Sequence, residues 1–336
     1  MKYLKSIHII STCCALLAGN IFQACDKDES FDVVGSGNTF AYINTWNQSA
    51  SAVQNEQVFN VTQTPIGIFG DISLDFPVRV NKLTKEFTAA LAIDNSLVEA
   101  YNQKNGTQYL TLPESNMELT NSSLNIQEGA TLSTDSVSFH IEKTKVAEFE
   151  PGDYLVPIRL TTVSNGVHIS SNLNTVYLKI HVRRATQVAK EQVRAAEMLG
   201  TLIPSSQYNT WSYSSDQTSS PIANLWSTRT SSYLSFTSNP ATLVFDMKSP
   251  KKISGLRVYA RNATSDPLNT FAQVKFSLSM DGISYTEIAD FSRDKMITEN
   301  GYQYIGMYGP VEAQYIKLEL DSPTSGLVFM GVYNVQ

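Results

Sequence analysis

The side chains of this 336-residue chain best suited to chemistry are aromatic rings and planar polar groups, concentrated in its C-terminal third. Tyr302, Tyr304 and Tyr308 lie in the glycine-punctuated run Asn300-Gly-Tyr-Gln-Tyr-Ile-Gly-Met-Tyr-Gly309, which reads as a loop. A tyrosine has an apolar ring and a polar tip, so an exposed set suits stacking on a sugar or gripping a protein. Packing of all three inward is the alternative. Trp226 and Arg229 occupy another loop, where Trp226 either meets a ligand or packs on the core; Trp211 reads as structural. Catalytic signatures are missing. Past the first thirty residues the histidines are His140, His168 and His181, and no His-Glu-x-x-His, Cys-x-x-Cys or Gly-x-Ser-x-Gly spacing occurs. The residue types therefore favour a binding protein that is not an enzyme and needs no cofactor. Only a carboxylate pair gathered from distant loops stays open as a catalytic alternative.

The N-terminus sets the expected compartment. Lys2 and Lys5 precede an apolar segment from Ile7 to Ala18, and the segment ends at Phe22-Gln-Ala-Cys25. A short basic region, an apolar run too short to span a bilayer and a small residue before a cysteine read as a secretory signal over residues 1–24. Cys25 is then the expected lipidation site and first residue of the mature chain, with residues 25–39 as a tether. A buried N-terminal helix is the alternative, opposed by the polar run Asp26-Lys-Asp-Glu-Ser30. That acidic run resembles the signal that sends Bacteroidota-type lipoproteins to the outer face of the outer membrane. The cysteines are Cys13, Cys14 and Cys25, so the mature chain is expected to hold together by core burial with no intramolecular disulfide. A net charge of −6 argues against nucleic acid, which requires a basic stripe.

The elements that must position these residues are strands. Val137, Phe139 and Ile141 fall on one face of their run, as do Tyr154, Val156, Ile158 and Leu160, and Val176, Leu178, Ile180 and Val182. Gly152-Asp153 and Asn165-Gly166 mark turns between them, and the spacing predicts a β-sandwich over 40–182. One short helix interrupts it: Leu97, Val98 and Tyr101 form an apolar stripe, with Asp94 or Asn95 as N-cap and Gly106 as the stop. From Arg183 to Leu199 the alternation lapses. Ala185, Val188, Ala189, Val193, Ala196 and Leu199 could line an amphipathic helix capped by Gly200, the alternative being an extended strand. This linker, 183–204, is the expected boundary. Alternation resumes over 205–336. Leu256, Val258 and Ala260 oppose Arg257, Tyr259 and Arg261, and Ile316, Leu318 and Leu320 point inward. Asp281-Gly282 is expected to supply the φ > 0 residues of a tight hairpin.

Two resemblances sharpen this. Leu243-Val-Phe-Asp246, Lys252-Ile-Ser-Gly-Leu256, Ser279-Met-Asp-Gly-Ile-Ser-Tyr285 and Tyr315-Ile-Lys-Leu318 fall in the order seen in coagulation-factor 5/8 type C domains. Trp211-Ser-Tyr-Ser-Ser215 and Ala223-Asn-Leu225 fit that family's opening. The second half thus resembles a discoidin-like jelly-roll β-sandwich, a family that includes the family-32 carbohydrate-binding modules. Leu97-Val-Glu-Ala-Tyr-Asn102, Gly106-Thr-Gln-Tyr109 and Leu112-Pro113, with Gln127-Glu-Gly129 and Gly152-Asp-Tyr-Leu-Val-Pro157, resemble an N-terminal domain of unknown function. That domain occurs in surface lipoproteins of glycan-utilisation systems, including some family-18 endoglycosidases, and the resemblance implies a spacer. The acidic motif of family-18 catalysis is absent. The fold expected overall is all-β: a sandwich with one inserted helix, then a jelly-roll sandwich.

The discoidin-like resemblance implies ligand binding at loops on one end of the second sandwich. A ring would cover the apolar face of a pyranose while planar polar groups meet its hydroxyls, each exchange gaining ~0.5–1.5 kcal/mol. Arg261 is similar in place to the arginine that many family-32 modules use. Asn269 or Asp266 would take the role of their following asparagine, with Asn262 as a weaker choice. An exposed Arg261 with no ligand is the alternative. Many relatives hold calcium with carboxylates, but this chain reads Trp226-Ser-Thr-Arg-Thr-Ser-Ser-Tyr233 and Phe329-Met-Gly-Val-Tyr333 at those places, so no metal is expected. The expected function is non-catalytic capture of oligosaccharide at the cell surface, for neighbouring glycosidases and a transporter. The alternatives are a protein-interaction or adhesion module, and a scaffold whose sugar site has decayed.

Overall fold

The computed structural model describes residues 33, 37–43, 45, 55–215, 225 and 232–336. The expectations for the signal, Cys25, Trp226 and Arg229 lie outside these residues. The described chain is all-β with few helices, in two successive sandwiches.

The first is built on a six-stranded sheet. Its spatial order is Gly67–Phe69, Glu56–Thr64, Thr175–Arg184, Gly152–Val163, Phe87–Ile93 and Ser123–Ile126. Antiparallel pairing of Val156 with Leu178 and of Tyr154 with Ile180 aligns the alternating apolar positions on one face. That face packs on a second layer made by Ile72–Phe76, Val137–Ile141 and their neighbours. The two layers share a core that includes Phe76, Phe87, Phe139, Ile158 and Val182. Asn165 and Gly166 take φ of 55° and 73°, as a tight turn requires. Gly152-Asp153 is not a turn; it begins the strand Gly152–Val163.

The inserted helix is Leu97–Asn105, and it explains a break in the alternation. Leu155 points to the outer face of the sheet yet is fully buried, because Val98 and Tyr101 of the helix pack on it. The N-cap is Ser96, not Asp94 or Asn95, and its side chain makes no cap bond; Asp94 steadies the turn before it by accepting from the Ser96 amide at 3.2 Å. Gly106 ends the helix in the left-handed region at φ 65°. The signature residues after it form a clip. Asn102 Oδ1 accepts from Thr107 Oγ1 and from the Tyr109 amide, both at 2.9 Å, while its Nδ2 donates to the Tyr109 carbonyl.

The segment after Arg184 is not an amphipathic helix. Ala189–Lys190 pairs with Gly306 and Met307, Ala195–Glu197 is a 3-10 turn, and Thr201–Leu202 pairs with the last strand. Val188 is pinned on both sides, its amide donating to Ile288 and its carbonyl accepting from Tyr308, each at 3.1 Å. Of the expected stripe Val188, Ala189 and Val193 are buried while Ala196 and Leu199 are exposed, and open strand edges offered backbone partners that a lone helix would have lacked. Gly200 is no helix cap. At φ 74° it lets the chain cross the Asn334 carbonyl, where a Cβ would sit 2.2 Å away.

The second sandwich is one ten-stranded sheet folded on itself. Its centre is a pair of 20-residue strands, Ala241–Ala260 and Tyr302–Asp321. Their pairing is interrupted between Asp246 and Lys251 and between Ile253 and Gly255, so each strand serves both layers. The enclosed core includes Phe245, Phe276, Phe291, Ile316, Leu318 and Leu320.

Two turn expectations are corrected here. Tyr302 to Gly309 is strand, not loop. Its glycines mark close approach: a Cβ on Gly306 would lie 2.9 Å from Val193 Cγ1, and one on Gly309 would lie 2.3 Å from Phe69 Cδ1 of the first sandwich. The hairpin at Asp281-Gly282 spans 280–285, and only Gly282 has positive φ, at 73°. Asp281 holds it by accepting from the Ile283 and Ser284 amides, both at 2.8 Å. Those two backbone donors keep its carboxyl below the usual range.

Candidate functional site

Arg261 follows the last residue of Ala241–Ala260, at the end of the sandwich that carries the loops 261–270, 322–325 and 237–240. Its backbone is fixed on both sides. The amide donates to the Gly326 carbonyl at 3.0 Å, and the carbonyl accepts from Thr324 Oγ1 at 2.8 Å. The guanidinium lies over the Tyr233 ring, 4.2 Å from its centroid. Gly326 makes room for this pair, since a Cβ there would sit 3.0 Å from Tyr233 Cδ2 and 3.3 Å from Arg261 Cβ. The stack orients the planar fork, whose donors make no hydrogen bond among the described residues. Such a half-buried cation is ready to receive a hydroxyl or a carboxylate.

The loop after Arg261 is braced from within. Asn262 turns the chain at φ 62° and offers its carbonyl to the Ser265 amide and hydroxyl and to Asn269 Nδ2. Asp266 caps the 3-10 turn Pro267–Asn269, its Oδ1 accepting from the Leu268 amide at 2.8 Å. Its carboxylate therefore builds the loop first. Asn269 uses its amide nitrogen on Asn262, and its Oδ1 has no partner among the described residues. Each of the two expected partners of Arg261 keeps one oxygen with no partner among the described residues, Asn269 its Oδ1 and Asp266 its Oδ2.

Three further side chains position the site, and none stood out from spacing alone. Arg293 Nη2 donates to the carbonyls of Leu268 and Thr270, at 2.9 and 2.8 Å. Buried Gln303 bonds both backbone groups of Phe271, at 2.7 and 3.0 Å. Tyr233 supplies the ring under Arg261. Each acts across more than twenty residues, so no local pattern announces it. Arg293 and Gln303 each leave one trace, a polar side chain inside or beside an apolar run.

The three tyrosines are dispersed. Tyr304 is 5% exposed and cannot stack on a ligand. Tyr302 is half-buried and committed: Arg257 lies 4.4 Å over its ring, and Tyr259 and Phe329 meet it edge-on at 4.9 and 6.0 Å. Tyr308 is covered by Lys190 at 5.4 Å. Neighbouring strand residues, among them Tyr259, Arg257 and Lys190, decide their environment. Trp211 meets Tyr208 edge-on at 4.6 Å and packs against the core, so it is structural. Burial pushes the Tyr208 hydroxyl up to about 12, and that hydroxyl accepts from the Val332 amide.

The histidines serve local contacts. His140 faces Glu142 at 3.1 Å, His168 stacks on Phe40, and His181 Nδ1 is 2.7 Å from Asp153. Among the described residues no three or more of His, Cys, Asp and Glu gather as metal ligands.

Residues 205–330 match the family model of the F5/8 type C domain. Residues 37–167 match a second model, described as an N-terminal domain. No curated protein matches. Among solved structures, the chain is similar to a two-domain protein of unknown function from Bacteroides fragilis, at 12% identity over 88% of this chain and 95% of that one, with a TM-score of 0.41. It is also similar to the family 32 carbohydrate-binding module of C. perfringens NanJ, solved with galactose, at 16% identity over 40% of this chain and 98% of that one, with a TM-score of 0.33. A third is the family 32 module of AlyQ, in complex with 4,5-unsaturated mannuronic acid, at 14% identity over 37% and 95%, with a TM-score of 0.31. With the order of its motifs and the family match in agreement, residues 205–330 form an F5/8 type C domain, carried behind a distinct N-terminal domain.

Proposed function

We propose that this chain is a non-catalytic cell-surface lipoprotein whose second domain captures oligosaccharide. The observation that carries this reading is the Arg261 fork, lying over the Tyr233 ring at the loop end of an F5/8 type C domain with its donors unused among the described residues. Asn269 Oδ1 adds an acceptor in the same loop. A pyranose hydroxyl that gives up water for these groups gains ~0.5–1.5 kcal/mol each, so affinity for one sugar unit is modest and capture depends on several contacts. Lipid on Cys25 tethers the chain to the outer membrane, the first domain raises the second from the surface, and captured glycan passes to neighbouring glycosidases and a transporter.

One feature favours a second reading, adhesion to a protein. Ile283 is 84% exposed and Met280 51% exposed on the 280–285 connection, and Leu268 is 66% exposed in the loop after Arg261. A glycan-array screen of the full chain separates the two. Selective hits that soluble glycan displaces support capture of sugar. A blank array, together with cell-surface binding that no sugar competes away, overturns it in favour of adhesion.

A further inference from the structure

The first domain holds a second concave site, unrelated to Arg261. Helix Leu97–Asn105 lies across the outer face of the sheet, and between it and the 171–174 loop opens a cavity of about 700 Å³. That size falls within the ~300–1,000 Å³ of small-molecule sites. Tyr177 forms an aromatic wall with Tyr101, their ring centroids 4.7 Å apart. The wall is rigid. Tyr101 OH donates to Glu56 Oε1 at 2.5 Å, Lys179 donates to Glu56 Oε2 at 2.5 Å, and Asn102 clips the loop behind the helix. Burial works to raise the Glu56 carboxyl, but the Lys179 and Tyr101 bonds outweigh it and hold it below the usual range. Burial, with Glu56 beside it, pushes the Tyr101 hydroxyl up to about 12. The hydrogen-bonded cluster is thus fixed in one protonation state near neutral pH.

Other polar groups on the cavity are unused. The Tyr177 hydroxyl makes no hydrogen bond among the described residues. Among the described residues, Asn174 accepts from Thr175 Oγ1 and leaves its amide nitrogen unpaired, and Asn55 Oδ1 is buried without a partner. Lys104 lines the cavity with no ion-pair partner among the described residues. A purely apolar ligand would leave these groups unpaired, at ~1–3 kcal/mol each where they are desolvated. An anion would meet Glu56, and a cation would meet Lys104, both of which line the cavity. An uncharged ligand with many hydroxyls and an apolar C–H face satisfies all of them. The cavity also continues: a neighbouring hollow of about 420 Å³ shares Ser171 and Asn174 and is bounded by the Asp94–Arg159 pair.

We infer that this groove is a second carbohydrate site, taking a neutral oligosaccharide with one unit against Tyr177 and the next beyond Asn174. The first domain is then a reader as well as a spacer, and the inference stands whether or not the second domain binds sugar. The test is calorimetric titration of the full chain carrying Arg261→Ala with maltohexaose, cellohexaose, xylohexaose, mannohexaose and chitohexaose. Binding is expected for at least one of the five. Ala100→Trp, which fills the groove from an exposed helix position, abolishes it, and Tyr177→Phe weakens it roughly three- to tenfold. Circular dichroism checks that each variant is folded. No binding by any of the five, or binding that Ala100→Trp leaves unchanged, overturns the inference. Neither result bears on the Arg261-dependent signal of the native chain.

Discussion

The two domains build their candidate sites around sheets in different ways. The first domain lays a helix on a sheet face, so its cavity is walled by strand residues such as Tyr177 and by the helix, with Asn102 as a clip. The second leaves the sheet faces to its core and linker and builds its site from loops at one end, braced by Arg293 and Gln303. A face-built site depends on the stability of its own sandwich. A loop-built site can be altered without touching the core beneath. The comparison therefore predicts separable effects.

The largest effect should come from Phe139→Ala. This side chain is fully buried in the first core, and its loss should cost about 3–5 kcal/mol. Chemical denaturation should show the first domain unfolding early while glycan binding through Arg261 persists; loss of both together would erase the distinction. Asn102→Ala comes next. It removes three bonds of the clip and should cost roughly 1–3 kcal/mol. Its effect should appear as faster hydrogen exchange over 97–109, with exchange in the second domain unchanged. Gly106→Ala should cost about 1 kcal/mol from the left-handed backbone alone, because a Cβ there meets nothing within 4 Å.

The smallest effect concerns pH. Asp153 is held below the usual carboxylate range by the His181 hydrogen bond, which with the Arg183 bond outweighs opposing burial. A lowered folded value stabilises the chain fully above the unfolded value of ~3.9, and the contribution is lost as pH falls through the folded value. The difference in urea midpoint between the native chain and Asp153→Asn should therefore shrink from about pH 6 to about pH 3. Asp153 is 45% exposed and solvent screens it, so the whole effect should be a few tenths of a kcal/mol.

What could be read from the sequence was local. Alternation identified the faces of Val137–Ile141 and of Ile316, Leu318 and Leu320, because burial on one side of a strand repeats every two residues. The helix at Leu97 was legible from its stripe and its Gly106 stop. Non-local pairing was not. The stripe around Val188 and Val193 fits a helix in isolation, and only the free edge of Tyr302–Asp321 makes it extended. Gly306 and Gly309 imitate a loop because glycine serves equally where Val193 and Phe69 approach from elsewhere. At the site, Arg261 and Asn269 could be nominated, but the Tyr233 ring that orients the arginine comes from another part of the chain.

The central claim rests on the planar fork of Arg261, and titrating an array-selected glycan into three forms of the full chain tests it most directly. The native chain should bind, Arg261→Ala should lose detectable affinity for the second domain's site, and Arg261→Lys should recover little, because an ammonium lacks both the fork and the stack on Tyr233. Equal affinity in all three forms, with the second domain folded, would contradict the account.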